Sequence, residues 1–247
     1  MGDEPRIRLL PDDTPAPAPA RFPSGQARRW RSPFDLAHTV PVSYREGRPF
    51  DGEVDEAAVE VFVTPRAYVR VCAHAGSDLY HEVGGALVGV RRLDPESGTA
   101  FVVVEAVVPA RHTRHGPSYL TFTQDSLVAI HDDLDRRYPG REFVGWYHTH
   151  PGMGVFLSGY DVWLHEHFFP AAWQVALVVE PRVGEGGFFV RGRDGTLDPR
   201  AYRGFYELLR KGRESVMRWT NLSADGDAPV GVEQPEAEAS PLTAGGG

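Results

Sequence analysis

Phe143-Val144-Gly145-Trp146-Tyr147-His148-Thr149-His150-Pro151-Gly152-Met153-Gly154-Val155-Phe156-Leu157-Ser158-Gly159-Tyr160-Asp161 is the stretch around which the chain is organised. The residues before the histidines, Glu142 to Tyr147, are rich in aromatic and β-branched types and read as a strand. On a strand, positions two apart share a face and lie roughly 6–7 Å apart, so His148 and His150 can converge on one ion. Pro151 and Gly152 then end the strand, because proline cannot donate to a ladder and glycine frees the backbone. Ser158 opens the helical-looking run Val162 to Phe169, which places Asp161 in a first helical turn from which its carboxylate could swing back to the histidines.

Two imidazoles and one carboxylate suit Zn²⁺ with a fourth position left for water, the arrangement of catalytic rather than structural sites. The single cysteine, Cys72, rules out a cysteine-rich structural site. Each part also has an ordinary reading. A His-x-His pair is often just the polar face of a strand, and Ser158 with Asp161 fits a helix-capping box. Capping and ligation are compatible, since a carboxylate has two oxygens.

Taken together, His148-Thr149-His150-Pro151, Ser158 and Asp161 resemble, at matching spacing, the JAMM motif of MPN-domain metallopeptidases. That family also needs a glutamate at the end of a helix, just before an apolar Gly-rich strand. Glu82-Val83-Gly84-Gly85-Ala86-Leu87-Val88-Gly89 is similar to its signature there. The resemblance covers roughly residues 57–197. It implies one Zn²⁺ per chain on His148, His150 and Asp161, with Glu82 moving the proton and Ser158 donating to an oxyanion. It implies hydrolysis of an amide at the C-terminus of a ubiquitin-like protein. Two alternatives stay open: release of an amino acid such as cysteine from a sulfur-carrier protein, and a scaffold without catalysis. The fold implied is an α/β domain like that of cytidine deaminases. Deaminase chemistry itself is disfavoured, because no His-x-Glu with Pro-Cys-x-x-Cys is present.

The rest of the chain agrees. Alternating strand and helix patterns predict an α/β fold with a mixed, partly antiparallel sheet flanked by helices. Val59 to Val63 alternates as a strand, and Thr64-Pro65 starts a helix carrying Tyr68, Val71, Cys72 and Ala75 on one face. Gly84 to Arg91 and Thr99 to Val108 form an antiparallel hairpin. Residues 109–120 read as a basic, solvated loop with His112 and His115, able to grip a substrate. Thr123 to Tyr138 is a helix ended by Pro139-Gly140. His165 and His167 fall on different helical faces and form no second chelating pair. Trp173 to Glu180 is a buried strand, 184–187 a turn, and Phe188 to Arg191 a short strand. Asp198-Pro199 predicts a long helix through about Trp219, able to cover the domain or pair with another subunit.

The ends differ from this middle. Residues 1–56, with alternating Pro15, Pro17 and Pro19 and several arginines, are expected to be a largely disordered leader, although Phe34 to Tyr44 is apolar enough to lie against the domain. Residues 222–247 are expected to be an acidic, Gly- and Pro-rich disordered tail; Gly245-Gly246-Gly247 reads as part of it, because no β-grasp module precedes it. With 41% apolar and 24% charged residues, composition is that of a soluble protein. A net charge of −8 argues against a nucleic-acid backbone as partner. No run approaches the roughly 18 apolar residues of a membrane span. One cysteine and no apolar N-terminal signal segment point to the cytoplasm.

Overall fold

The computed structural model describes residues 39–44, 57–94, 97–110, 114–116, 119–121, 124–209 and 213–224, all within one unit, Arg31–Gly247. Along the chain run β1 (Thr39–Tyr44), β2 (Glu60–Val63), α1 (Pro65–Ala75), β3 (Gly84–Leu93), β4 (Ala100–Pro109), β5 (Arg114–Gly116), β6 (Tyr119–Thr121), α2 (Gln124–Arg137), β7 (Glu142–Thr149), α3 (Gly159–Phe168), β8 (Val175–Glu180), β9 (Glu185–Phe189), β10 (Phe205–Leu208) and β11 (Leu222–Ala224). The expected mixed sheet is present, nine-stranded, in the order β11-β1-β10-β2-β4-β3-β7-β8-β9. β3 pairs antiparallel with both β4 and β7, whereas β2 with β4 and β7 with β8 are parallel.

Two apolar clusters lie on opposite faces of the β3–β4 hairpin, as the two-residue period of a strand requires. Leu87 joins α1 residues Ala67, Tyr68 and Val71 and the α3 residue Leu164 in the larger core. Its neighbours Ala86 and Val88 face the other way, onto Ile130 and Leu134 of α2. Val104 and Val107, three apart, nevertheless share the larger core. The β3–β4 register shifts at Val88/Gly89 and skips Glu105, so a bulge resets the alternation. α1 starts as the sequence predicts, with the Thr64 side chain accepting from Ala67 N and Pro65 in the first turn.

The far end of the sheet departs from expectation. No helix covers the described residues of 198–221; residues 205–208 form β10, parallel to β2 and antiparallel to β1. Phe205 and Glu207 are buried while Tyr206 and Leu208 are half-buried, a two-residue period that follows from pairing with β2. Gly204 and Gly212 also make this span a poor helix. The folded part also begins before Ala57, because β1 lies between β10 and β11. Neither strand is stable alone, and their partners lie far along the chain.

The segment after β9 returns to cover the free edge of β9. Phe188 and Arg203 exchange backbone hydrogen bonds of 3.3 and 2.6 Å, and Thr220 N donates to Gly184 O at 2.8 Å. The Asn221 side chain takes the place of a strand, accepting from Gly186 N at 3.1 Å and donating to Gly186 O at 2.9 Å. A side chain at Gly186 would collide with Trp219, whose ring lies 2.6 Å from where a Cβ would sit. Gly186 and Gly187 are therefore strand residues, not the turn their composition suggests. The sheet curls enough for its distant strands to meet, with the rings of Phe188 and Phe205 5.4 Å apart.

In the basic loop, 114–116 and 119–121 pair as a two-stranded sheet that includes His115; His112 lies outside the described residues. So do residues 1–38, 45–56 and 225–247, which hold most of the two ends expected to be disordered.

Candidate metal centre

β7 is the inner strand that brings the histidines in. It pairs with β3 on one side, Gly84 opposite His148, and with β8 on the other, Val178 opposite His148. His148, Thr149 and His150 are all buried. The pairing runs on past the strand ends: Thr149 N donates to Val83 O at 2.9 Å, Val83 N to Thr149 Oγ1 at 2.9 Å, and His150 N to Val179 O at 2.9 Å. Glu82 comes next along this segment, and its carboxyl interacts with the charges of His150 and Asp161. Glu82 is buried at 3% exposure. It is not at a helix end, as the signature leads one to expect. α1 stops at Ala75, and sheet register, not a helix terminus, places the carboxylate.

The loop after His150 is tied to the same framework. Gly152 adopts φ +77°, a left-handed conformation that favours glycine. The buried Glu180 carboxylate at the end of β8 accepts from Gly154 N at 3.4 Å and from Arg182 N at 2.8 Å. Ser158 then caps α3: its Oγ accepts from Asp161 N at 3.2 Å, and its backbone N–H donates to Asp161 Oδ2 at 2.7 Å. The capping box and the swing back to the histidines are both realised by one carboxylate.

His148 Nε2 and His150 Nε2 lie 2.9 Å apart, and Asp161 Oδ1 and Oδ2 lie 3.3 Å from His148 Nε2 and 3.5 Å from His150 Nε2. One ligand atom from each residue falls within 4.8 Å of the others, and all three residues are buried. Two imidazole nitrogens and an ionised carboxylate are the donor set of an open zinc site. Both Nδ1 atoms are buried with no hydrogen-bond partner among the described residues, which leaves the Nε2 atoms as the pair facing the carboxylate. The residues present therefore fit a divalent cation.

The electrostatics agree. Burial works against ionisation of Asp161, but the His148 charge and hydrogen bonds from His148, His150 and Ser158 outweigh it and hold the carboxyl below its ordinary range. Burial lowers His148, favouring the neutral ring that a metal needs, with Asp161 pulling the other way. Burial pushes Glu82 up to about 7, with His150 opposing the shift and Asp161 adding to it.

The structure thus gathers His148, His150 and Asp161, ties Ser158 to Asp161, and leaves the buried Glu82 under the influence of the His150 and Asp161 charges. It adds Trp146, stacked on His148 with ring centroids 4.6 Å apart, and His165, which accepts from Trp146 Nε1 at 3.0 Å. Both were findable: Trp146 is two before His148 on a strand, and His165 is four after Asp161 on a helix.

A buried two-histidine, one-carboxylate cluster at the end of a parallel strand pair defines a candidate metal-dependent α/β domain. Residues 56–170 match the family described as "JAB1/Mov34/MPN/PAD-1 ubiquitin protease", so this part of the chain is a domain of that family. The chain is similar to the 26S proteasome non-ATPase regulatory subunit 14 of Drosophila melanogaster, 30% identical over 145 residues, 54% of this chain and 42% of that protein. The COP9 signalosome complex subunit 5 of Caenorhabditis elegans is 26% identical over 151 residues, 60% of this chain and 39% of that one. The NAD(+) hydrolase TcpA of Theionarchaea archaeon (strain DG-70-1) is 37% identical over 108 residues, 43% of this chain and 29% of that one. The chain spans less than half the length of each of these relatives. No described helix is long and apolar enough to cross a membrane.

Proposed function

We propose that this chain is a zinc-dependent peptidase that hydrolyses an amide bond at the C-terminus of a ubiquitin-like protein. The observation that carries the reading is the buried convergence of His148, His150 and Asp161, with the buried Glu82 carboxyl near enough to feel the His150 and Asp161 charges. Zinc, when held by these three side chains, supplies Lewis acidity that lowers the pKa of water towards about 7 and polarises a carbonyl.

The chain's own groups do the rest. Glu82 accepts a proton from the attacking water as its oxygen bonds to the amide carbon. The C–N bond then breaks, and Glu82 returns that proton to the leaving amine. The second water proton passes from the new carboxylic acid to the amine, so the products are a carboxylate and an ammonium. Ser158 Oγ already accepts from Asp161 N, so its own hydrogen can be turned to the developing oxyanion. A Gly-rich substrate tail is extended and flexible, suited to pair beside the site as an added strand.

The test is incubation of the zinc-loaded protein with fusions of several ubiquitin-like and sulfur-carrier proteins, followed by intact-mass analysis. Release at the C-terminus of a ubiquitin-like moiety is the expected result. Release only from sulfur carriers would move the substrate class. Stoichiometric zinc without cleavage of any fusion would point to the scaffold role.

A further inference from the structure

We propose that Trp146 and His165 act as a buried positioning pair that fixes the plane of the His148 imidazole and thereby sets the metal affinity of the centre. The inference rests on the zinc reading above and concerns what holds the ligand in place.

Ligating histidines are usually oriented through the second ring nitrogen, which donates to a carboxylate or a carbonyl. His148 has no such brace: Nδ1 is buried without a hydrogen-bond partner among the described residues. What it has is a parallel aromatic neighbour. The Trp146 and His148 rings are 4.6 Å apart and only 9° from coplanar orientation. Both residues point to one face of β7, and neither has room to turn, at 1% and 0% exposure.

The indole is itself held. Its Nε1–H donates to His165 Nδ1 at 3.0 Å, and Phe169 stacks on it at 6.1 Å and 16°. Phe169 also lies 6.2 Å from the His165 ring at 18°, so the three rings form one slab. An indole nitrogen can only donate, so His165 Nδ1 must be bare and the neutral ring carries its proton on Nε2. Burial and the Arg191 charge push His165 down to about 3, against the Gln174 backbone, so the acceptor stays neutral across the physiological range.

His165 also joins the two ligand-bearing elements. It is one helical turn beyond Asp161 on α3, on the same face. Its bond to Trp146 therefore locks the helix that presents Asp161 to the strand that presents His148.

The experiment measures Zn²⁺ affinity of the full chain by competition with a chromophoric chelator, and the ligand-field spectrum after Co²⁺ substitution. Trp146→Leu and His165→Leu are expected to weaken zinc by about 10–100-fold, as loss of a ligand's outer brace does elsewhere. The double variant should lose little more than either single one, because the two act through one bond. Trp146→Phe keeps a ring but drops the donor, and is expected to shift the Co²⁺ spectrum while folding normally. Phe62→Leu, a buried change stacked on Tyr206 and remote from the ligands, controls for general loosening and should leave zinc affinity within about twofold. Folded Trp146→Phe and His165→Leu proteins with unchanged affinity and spectrum would overturn the pair while leaving the zinc reading intact. So would a Phe62→Leu protein that loses zinc to the same degree. A wild-type chain that binds no zinc would overturn both together.

Discussion

The corner where β3, β7 and α3 meet and the far end built from β10, β1 and β11 solve the same problem in opposite ways. At the corner, three candidate ligands come from 14 consecutive residues, His148 to Asp161, and the chain just before β3 adds Glu82. At the far end, three short strands come from positions around 40, 206 and 223, and each depends on partners far along the chain. The corner is specified by local spacing and one register. The far end is specified only by which edges are left to be covered. Function should therefore be sensitive at the corner and stability at the far end, and the two should separate under mutation.

The largest expected effect is at a ligand. Asp161→Ala removes one of three donors and the capping box together, so zinc content by elemental analysis should fall from near one per chain to near zero, with all activity. Retention of stoichiometric zinc would break the corner as described. Next comes Glu82→Gln, which keeps the size of the side chain but not the base. Zinc should stay near one per chain while turnover falls by about 10²–10⁴. Loss of zinc in this variant would make Glu82 a ligand, and the wild-type rate would remove it as the base.

At the far end, Trp219→Ala should do the reverse. Trp219 is 4% exposed, fills the space over Gly186 and meets Tyr68 and Phe205 edge-on. Its loss should cost about 3–5 kcal/mol in denaturant unfolding, with the folded fraction still binding one zinc. Zinc lost in step with Trp219 would show the two regions to be one cooperative unit.

The smallest effect is a pH dependence. His165 has an ordinary pKa of 6.5 and lies near 3 when folded, because burial and Arg191 disfavour its charge. Between these values the unfolded chain holds a proton that the folded chain does not, so stability rises with pH across this window. Stability should therefore fall as pH drops from about 6.5 towards 3, by up to ~1.4 kcal/mol per unit from this group. His165→Gln should flatten the slope in melts at pH 7 and 5; an unchanged slope would place the proton elsewhere.

Much of the centre was readable in advance, for a physical reason that differs by residue. His148 and His150 follow from strand periodicity, Asp161 and Ser158 from helix-capping chemistry, and Thr64-Pro65 from the first turn of α1. Glu82 was found by a signature whose helix-end setting is not realised here. The helix expected over 198–221 failed because aromatic spacing alone cannot tell a helical stripe from a strand awaiting a partner. Phe205 and Glu207 became strand residues once β2 offered an edge. Gly186 and Gly187 looked like a turn until Trp219 and Tyr202 supplied the bulk that makes glycine necessary there.

The sequence by itself determined which side chains can bind a metal, because spacings of two on a strand and three on a helix turn are short-range geometry; Glu82 came from the family signature alone. Only the tertiary structure decided that Glu82 feels the charge of His150, that Trp146 stacks on His148 and donates to His165, and that residues 39–44 belong to the sheet. Those placements depend on long-range register and on which edges remain open, and no local pattern of residues encodes either.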